Sequence, residues 1–369
     1  MGERLGYELL LSLPRACMTT LYITADQVGI VSGGGIVTKR ESEFLSSSFG
    51  AKILDRDVID PTNRASADPF LFDALADALV EKILAEGSYE LAHFYAGSFS
   101  KTVQRLRAAG VKVVYTAAAH DRKTSIEEFG LLGYDYPYAH IKDDALWEQY
   151  VDGYKQADLV VCPSKLSADV MMGYGCKNVV IIPHGVAYPA AVKALPKSFR
   201  VGYFGQLGPD KGVVYLLRAW KRLNYPDARL IIGGRGSEAA IHSIRRDGGG
   251  NVEIMGFVES VSDFYDECSV YVQPSSAEGF GIEILEAMAH GRAVIASVGA
   301  GGADVVEDGV DGFVVPIRSP EAIAEKIEWC RTHTAELAAM GECAKRKAQN
   351  YSWESIRDRY VSVWEAALA

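Results

Sequence analysis

The amino-acid sequence predicts an α/β protein with two doubly wound, Rossmann-like parallel sheets. Apolar runs of strand length alternate with amphipathic helical stretches along the whole chain. Several of these runs are rich in valine and isoleucine and lack polar alternation, which is typical of strands buried on both faces. Between them, the segment 183–198 carries Pro183, Pro189 and Pro196 without sustained periodicity and divides the chain into halves of domain size.

The predicted strands are the apolar runs Thr20–Thr24, Lys112–Thr116, Leu159–Cys162, Val179–Ile182, Arg200–Phe204, Ala228–Ile232, Val270–Gln273, Ala293–Ala296 and Gly312–Val315. Helical periodicity predicts helices over Phe70–Glu86, Lys211–Leu223 and Glu354–Leu368. Another helix is expected to begin at Ser319, because a serine cap followed by Pro320 is a typical helix start. Ligands of such sheets bind at the carboxyl ends of the strands.

The predicted division places a first domain at residues 1–190, a second at 191–350 and a terminal helical segment at 351–369. Two facing domains leave a cleft between them, and a cleft of this kind is the default place for a ligand.

Composition excludes several classes of protein. With 49% hydrophobic and 23% charged residues, the chain is neither disordered nor a small disulfide scaffold. A net charge of −10 disfavours bulk binding of nucleic acid. The six cysteines form no CxxC pair and no zinc-ligand spacing, which predicts reduced thiols, a cytoplasmic location and no metal site. No apolar run reaches the roughly 18 residues of a membrane span.

The most informative segment runs from Pro274 to Ala289. A predicted strand passes into a glycine loop and then into a helix that begins near Ile282. Gly279 and Gly281 allow close approach of a ligand to the backbone, and the start of the helix offers amides and a positive dipole end to a diphosphate. Glu278 and Glu286 flank this place and could accept hydrogen bonds from sugar hydroxyls, although either one alone would ordinarily be a solvated acid.

The two acids form an E-x7-E pattern within S-x-x-E-G-F-G-x-x-x-x-E-A-M-A. This pattern strongly resembles the retaining glycosyltransferases of group 1 (glycosyltransferase family 4), which have the two-domain GT-B fold. The resemblance spans nearly the whole chain. It implies that the first domain faces the acceptor, that the second binds a nucleotide-sugar donor and that the terminal helix crosses back to the first domain. The donor-binding positions that it implies in the second domain include Gly279, Phe280, Gly281, Ile282 and Glu286.

Further blocks agree with the resemblance in order and spacing. The segment 205–212 is similar to the family's phosphate loop, in which Lys211 would contact the donor diphosphate and Gln206 stands where many members have arginine. A triple glycine that includes Gly34 and Gly35 resembles the loop that closes over the donor, and His120 resembles the histidine beside the transferred sugar. The segment bordering the nucleobase would contain Phe257 and Val258. Taken singly, each of these residues also has an ordinary structural interpretation: a solvated lysine, a structural histidine, a plain turn.

The resemblance implies that a hexosyl unit is transferred from a nucleotide diphosphate sugar to a hydroxyl of a glycan, lipid or small molecule. It implies retention of anomeric configuration, no metal and no cofactor, with a UDP- or GDP-sugar as donor. The roles assigned are diphosphate contact for Lys211, sugar contact for Glu278 and His120, and ribose contact for Glu286. A glycoside hydrolase, a nucleotide-sugar epimerase and a non-catalytic nucleotide-sugar-binding subunit are the alternatives. Basic residues at 105, 107 and 112 leave two alternatives open, peripheral contact with a membrane or a solvated face.

Overall fold

The computed structural model describes residues 20–25, 33–63, 65, 68–136, 142–249, 251–258 and 260–369. Within them lie two six-stranded sheets, and every pair of neighbouring strands in both sheets is parallel. The predicted fold class is therefore confirmed.

The first sheet has the strand order β2-β1-β3-β4-β5-β6. Its strands are β1 Thr20–Thr24, β2 Ala51–Leu54, β3 Leu91–Tyr95, β4 Lys112–Thr116, β5 Leu159–Cys162 and β6 Val179–Ile181. The accompanying helices are α1 Gly33–Phe49, α2 Arg56–Ile59, α3 Pro69–Glu86, α4 Ser100–Ala108, α5 Arg122–Leu131, α6 Asp144–Gln156 and α7 Lys165–Gly173. The strand order reverses between β1 and β3, so a ligand crevice is expected at the carboxyl ends of these two strands.

The second sheet has the strand order β12-β11-β10-β7-β8-β9. Its strands are β7 Arg200–Phe204, β8 Arg229–Gly233, β9 Val252–Gly256, β10 Val270–Gln273, β11 Ala293–Ser297 and β12 Gly312–Val315. The helices that follow are α8 Val213–Leu223, α9 Glu238–Gly248, α10 Val261–Asp266, α11 Ile282–Ala289, α12 Pro320–Thr332 and α13 Thr334–Ala348. The order reverses between β7 and β10, which places the crevice of this domain beside the loops that follow those strands.

The last helix, α14 (Trp353–Leu368), packs against the first domain. The Tyr360 hydroxyl donates to the buried Glu41 carboxylate at 2.6 Å, and Trp364 Nε1 donates to His93 Nδ1 at 2.7 Å. Because all four side chains are buried, these hydrogen bonds form in a low dielectric and fix the helix in one register. The end of the chain thus completes the core of the first domain.

Three strands were not predicted, and each departs from the pattern of a doubly buried run. β2 and β9 are edge strands with partly exposed residues, so their apolar runs are weak. β3 carries the buried His93 at its centre, which interrupts the apolar run. Elsewhere, strand ends differ from the prediction by a single residue, as at Ile181 and Ser297.

Two local predictions near the crevice were wrong. Lys211 does not lie in a helix, because a short 3-10 turn, Pro209–Lys211, precedes α8. The two are separated by Gly212, which has a φ of +69° and whose ideal Cβ would lie 2.0 Å from the Pro274 carbonyl oxygen. Likewise, Gly34 and Gly35 belong to the first turn of α1 and not to a loop, since helix geometry begins at Gly33; Ser32 lies outside the described residues.

Candidate active site

A cavity of about 280 Å³ lies between the carboxyl ends of the two sheets. Its walls come from both domains, which makes it the meeting point of the two crevices. The first domain and the segment that joins the domains contribute Tyr95, Ala118, His120 and His184. The second domain contributes Tyr203, Gly205, Gln206, Lys211, Gln273, Glu278, Gly279, Phe280, Gly281, Ile282 and Glu283.

The Glu278 carboxylate accepts hydrogen bonds from three side chains at this cavity. Its Oε1 accepts from Lys211 Nζ at 2.6 Å, and its Oε2 accepts from Gln273 Nε2 and from Ser275 Oγ, each at 2.7 Å. The side chains of Lys211 and Glu278 are 18% and 13% exposed, so the pair is largely shielded from water and keeps only a narrow opening to the cavity. The carboxylate is therefore held in a single orientation.

The backbone around Glu278 explains why this loop holds its shape. The Glu278 amide donates to Gly299 O at 2.9 Å, and its carbonyl accepts from Gly301 N at 3.0 Å. Gly281 then adopts a φ of +83° as the residue that begins α11, and it has no side chain that could cap the helix. Gly281, Ile282 and Glu283, at the start of α11, line the cavity, and the amides of a helix start stabilise an anion.

Lys211 reaches Glu278 from a loop that is tied to the same region. The backbone carbonyl of Asp210 accepts from Ser276 N at 2.8 Å, so the 3-10 turn and the loop after β10 are cross-linked. Burial disfavours the ammonium ion, but the charges of Glu278 and Asp210 outweigh that effect and raise the pKa of Lys211. The lysine is therefore a permanent cation at the centre of the cavity.

The ionisation of Glu278 follows from the same contacts. Burial alone would raise the pKa of Glu278, but the Lys211 charge and the hydrogen bonds from Lys211, Ser275 and Gln273 hold it below its usual value. Lys211 and Glu278 thus form an ion pair over the whole neutral pH range.

Among the described residues, those that the first domain contributes to the cavity are uncharged. Burial, followed by the charge of Lys211, lowers the pKa of His120. His184 is 5% exposed, its ring packs edge-on to Phe280 at 5.1 Å, and burial lowers its pKa to about 4. Both imidazoles are accordingly neutral at pH 7. Asp121, next to His120, caps α5 by accepting from Thr124 N at 3.0 Å, which is a structural role.

The two domains touch directly at Gly279. An ideal Cβ at this position would lie 2.3 Å from the Ala118 carbonyl oxygen, and Ser164 Oγ donates to Gly279 O at 2.7 Å. On the far side of the cleft, the buried Glu128 accepts from the Tyr215 hydroxyl at 2.9 Å. The two domains are therefore in direct contact at both places.

Several residues implied by the resemblance lie away from this cavity. Glu286 is one turn further along α11, where it accepts from the Tyr265 hydroxyl at 3.0 Å, and burial raises its pKa. Phe257 is 55% exposed beneath the Arg235 guanidinium, 4.5 Å from the ring centre, and Val258 follows it. Gln206 lines both this cavity and a larger neighbouring one.

Sequence reasoning missed several polar groups in and beside the cavity, among them Tyr95, His184, Tyr203, Gln273, Ser275 and Glu283. Gln273 and Ser275 orient Glu278, and Gln273 was already visible as a polar residue at the carboxyl end of a predicted strand. Glu283, in the first turn of α11, lines the cavity, and burial together with the charges of Glu278 and Glu286 raises its pKa to about 8. Its signal was a third acid within the E-x7-E segment.

Within the described ranges, no group of three or more His, Cys, Asp or Glu side chains is arranged to hold a metal ion. A search of the same ranges found no helix that combines the length and apolarity of a membrane span.

Two protein-family models match the chain, one in each half. The model for glycosyltransferase family 4 matches residues 39–187, and the model for glycosyl transferases group 1 matches residues 198–333. The chain belongs to the group 1 glycosyltransferases of family 4. The second match contains the residues that the second domain contributes to the cavity, from Tyr203 to Glu283.

Several named glycosyltransferases are similar in sequence to part of this chain. The capsular polysaccharide biosynthesis glycosyltransferase CapM of Staphylococcus aureus is 30% identical over 179 residues, which cover 46% of this chain and 47% of CapM. The phosphatidyl-myo-inositol mannosyltransferase of Mycolicibacterium smegmatis is 29% identical over 200 residues, which cover 51% of this chain and 52% of that enzyme. The matching segment thus spans about half the length of each relative.

Solved structures share the architecture of this family member across nearly its whole length. Sucrose-phosphate synthase from Thermosynechococcus elongatus superposes with a TM-score of 0.75 at 18% identity, covering 94% of this chain and 98% of that one. Anabaena HepE in complex with UDP superposes with a TM-score of 0.67 at 19% identity, covering 95% and 100%. At these identities the likeness shows the fold, and the predicted GT-B architecture is confirmed.

Proposed function

We propose that this protein is a retaining, metal-independent glycosyltransferase that moves a hexosyl unit from a nucleotide diphosphate sugar to an acceptor hydroxyl in the cytoplasm. In this proposal the domain up to about residue 190 faces the acceptor, and residues 191–350 bind the donor. The observation that carries the proposal is the buried Lys211–Glu278 ion pair, 2.6 Å long, beside the uncapped start of α11.

The proposed chemistry depends on stabilising the leaving group. Breaking the bond between sugar and diphosphate leaves negative charge on the diphosphate. Lys211 and the first-turn amides of α11 are already fixed at the cavity, so they would meet that charge without reorganisation. Water is also kept out by the contact between Gly279 and Ala118, and water is a competing acceptor.

Glu278 and His120 would position the sugar. Both oxygens of Glu278 are engaged by Lys211, Gln273 and Ser275, an arrangement that suits orientation better than nucleophilic attack. A neutral His120 on the opposite wall can donate one hydrogen bond and accept another. Retention would follow from attack on the same face of the sugar, with the departing phosphate taking the acceptor proton.

The nucleoside of the donor is proposed to occupy the larger neighbouring cavity, which has a volume of about 1040 Å³ and meets the smaller one at Gln206. Its walls come from the second domain, with Arg218 and Arg235, and from the end of α5, with Leu131 and Tyr134. Two relatives carry names with phosphorylated lipid acceptors: the mannosyltransferase of phosphatidyl-myo-inositol, and the Campylobacter jejuni enzyme that acts on a diphospho-undecaprenol sugar. By analogy, a phosphorylated acceptor facing the first domain is proposed for this chain.

The first test is a thermal-shift screen of the purified chain against UDP-, GDP- and ADP-sugars. A donor present at about a hundred times its Kd should stabilise the folded state by about 2.7 kcal/mol. The stabilising donor is then incubated with candidate acceptors with and without EDTA, and the anomeric configuration of the product is read by NMR.

The expected product keeps the configuration of the donor and forms equally fast with EDTA. Inversion, or loss of activity with the chelator, would contradict the corresponding part of the proposal. Conversion of the donor without an acceptor would favour the epimerase. Binding without turnover across the acceptors would favour the non-catalytic subunit.

A further inference from the structure

A third carboxyl group lies in the cavity and has no role in the chemistry above. Glu283 lines the wall in the first turn of α11, and its Oε1 is 3.6 Å from the ideal Cβ position of Gly205. The cation of the cavity, Lys211, is paired with Glu278. Across the described part of the chain no ion pair involves Glu283, and its carboxyl accepts a hydrogen bond from its own backbone amide.

The groups that face Glu283 come from every element packed around it. They comprise two carboxylates, one lysine and three phenols: Glu278, Glu286, Lys211, Tyr203, Tyr265 and Tyr271. One lysine cannot neutralise three carboxylates, and Asp210 also acts on that lysine, so a further unpaired negative charge in this partly buried space is costly. Burial, then the charges of Glu278 and Glu286, accordingly raise the pKa of Glu283 to about 8, so that this group is a carboxylic acid at pH 7.

We propose that Glu283 contacts the diphosphate of the donor as a protonated carboxylic acid and supplies it with a hydrogen bond. This inference rests on the proposed function, since it requires a nucleoside diphosphate at the start of α11. One carboxyl oxygen would accept from the Glu283 amide, and the other would carry the proton toward a phosphate oxygen. An ionised carboxylate in the same place would instead repel the phosphate.

Binding of the nucleotide then becomes coupled to a proton. As the pH rises through about 8, Glu283 in the free protein loses its proton, and the nucleotide must bind together with a proton from solution. Affinity should therefore fall by about tenfold between pH 7 and pH 9. A terminal phosphate has a second pKa of about 6, so the nucleotide is fully ionised throughout this range. Raised pKa values keep Lys211 and the three tyrosines out of this range, and a lowered pKa keeps His120 out of it. Burial also raises the pKa of Glu286 and of Asp210, so the Glu283→Gln variant is needed to assign the proton to Glu283.

The experiment is calorimetric titration of the full chain with UDP and with GDP at pH 7 and pH 9, in two buffers with different ionisation enthalpies. For the nucleotide that binds tighter, we expect about tenfold weaker binding at pH 9, accompanied by uptake of nearly one proton. Glu283→Gln keeps a neutral hydrogen-bond donor, so both the pH dependence and the proton uptake should disappear. The matched control is Glu325→Gln at an exposed glutamate, which should behave like the wild type.

Each outcome decides between the two proposals. Wild-type binding that is equal at both pH values without proton uptake overturns the inference about Glu283 and leaves the proposed function standing. If Glu283→Gln retains the wild-type pH dependence, the inference about Glu283 is likewise overturned and the proposed function stands. Failure of the wild-type protein and the control to bind UDP or GDP at either pH, together with no stabilisation by any nucleotide sugar in the thermal-shift screen, would overturn the proposed function and this inference with it. The proton uptake of the wild type is measured independently of whether the variant folds.

Discussion

The two walls of the cavity differ in charge. The wall from the second domain carries Lys211, Glu278 and Glu283, all within or beside the loops that follow β7 and β10. The opposite wall carries His120 and His184, which burial keeps neutral, together with backbone groups. Among the described residues, the charged groups that a diphosphate would meet come from the second domain, and contact with the first domain would add shape, neutral polar contacts and exclusion of water.

The difference also appears in how each wall is fixed. On the charged side, the loop of Glu278 is pinned by backbone hydrogen bonds to Gly299 and Gly301 and by the Asp210–Ser276 bond. These contacts hold the ion pair in place before any ligand arrives, which is what electrostatic preorganisation requires. The neutral wall meets this loop at the Gly279 backbone, through Ala118 and Ser164.

The largest expected effect comes from breaking the charged wall with Lys211→Ala. This change removes the cation proposed for the diphosphate and leaves Glu278 buried without its partner. We expect kcat/KM for transfer to fall by at least about 10²-fold, or about 2.7 kcal/mol, and Glu278→Ala to have a similar effect.

The matched control for Lys211→Ala is Lys155→Ala, at a lysine that also pairs with a glutamate but lies in the first domain, on α6. This control should stay within a few-fold of the wild type. If circular dichroism showed that Lys211→Ala is folded and this variant kept the wild-type kcat/KM, the charged wall would not carry out catalysis.

The next effect concerns the stability of the neutral wall. The unfolded chain protonates histidine near pH 6.5, whereas His184 in the folded protein resists protonation down to about pH 4. Between these values the unfolded state binds more protons. The contribution of neutral His184 to the free energy of unfolding is therefore fully present above pH 6.5 and is lost as the pH falls toward 4. At pH 5 the loss attributable to His184 is about 2 kcal/mol.

Urea unfolding at pH 7 and pH 5 measures this loss. His184→Gln cannot be protonated, so its stability should decrease by about 2 kcal/mol less than that of the wild type. His242→Gln, at an exposed histidine, serves as the control and should follow the wild type. An equal decrease for His184→Gln and wild type would contradict a neutral, buried His184.

The smallest effect is expected where the two walls touch. In Gly279→Ala, the new methyl group would lie 2.3 Å from Ala118 O, so the walls must separate slightly. Because closure positions the neutral groups, kcat should fall by about tenfold, or about 1.4 kcal/mol, while the affinity for UDP changes less. Gly173→Ala, in α7 with no atom within 4 Å of the added Cβ, is the control. A loss of UDP affinity as large as the loss in kcat would mean that Gly279 serves the charged wall alone.

The segment from Gln273 to Ala289 shows how much of the structure can be predicted from local sequence. A run that is buried on both faces predicts its strand, and two glycines before an apolar helical pattern predict the loop and the helix start at Ile282. The same reasoning gave a wrong helix start at Lys211, because the break at Gly212 depends on the close approach of Pro274, which lies far away in the sequence.

The sequence by itself determined the parallel two-sheet architecture and the residues of the E-x7-E segment, because burial periodicity and glycine spacing are local properties of the chain. Only the tertiary structure decided which charges meet. Lys211 and Glu278 are separated by 67 residues in the sequence. The pKa of Glu283 is raised by burial and by the charges of Glu278 and Glu286, and among the described residues that line this cavity Lys211 is the cation. Electrostatic energies depend on distance and on exclusion of water, and both are set when the two sheets bring their carboxyl ends together.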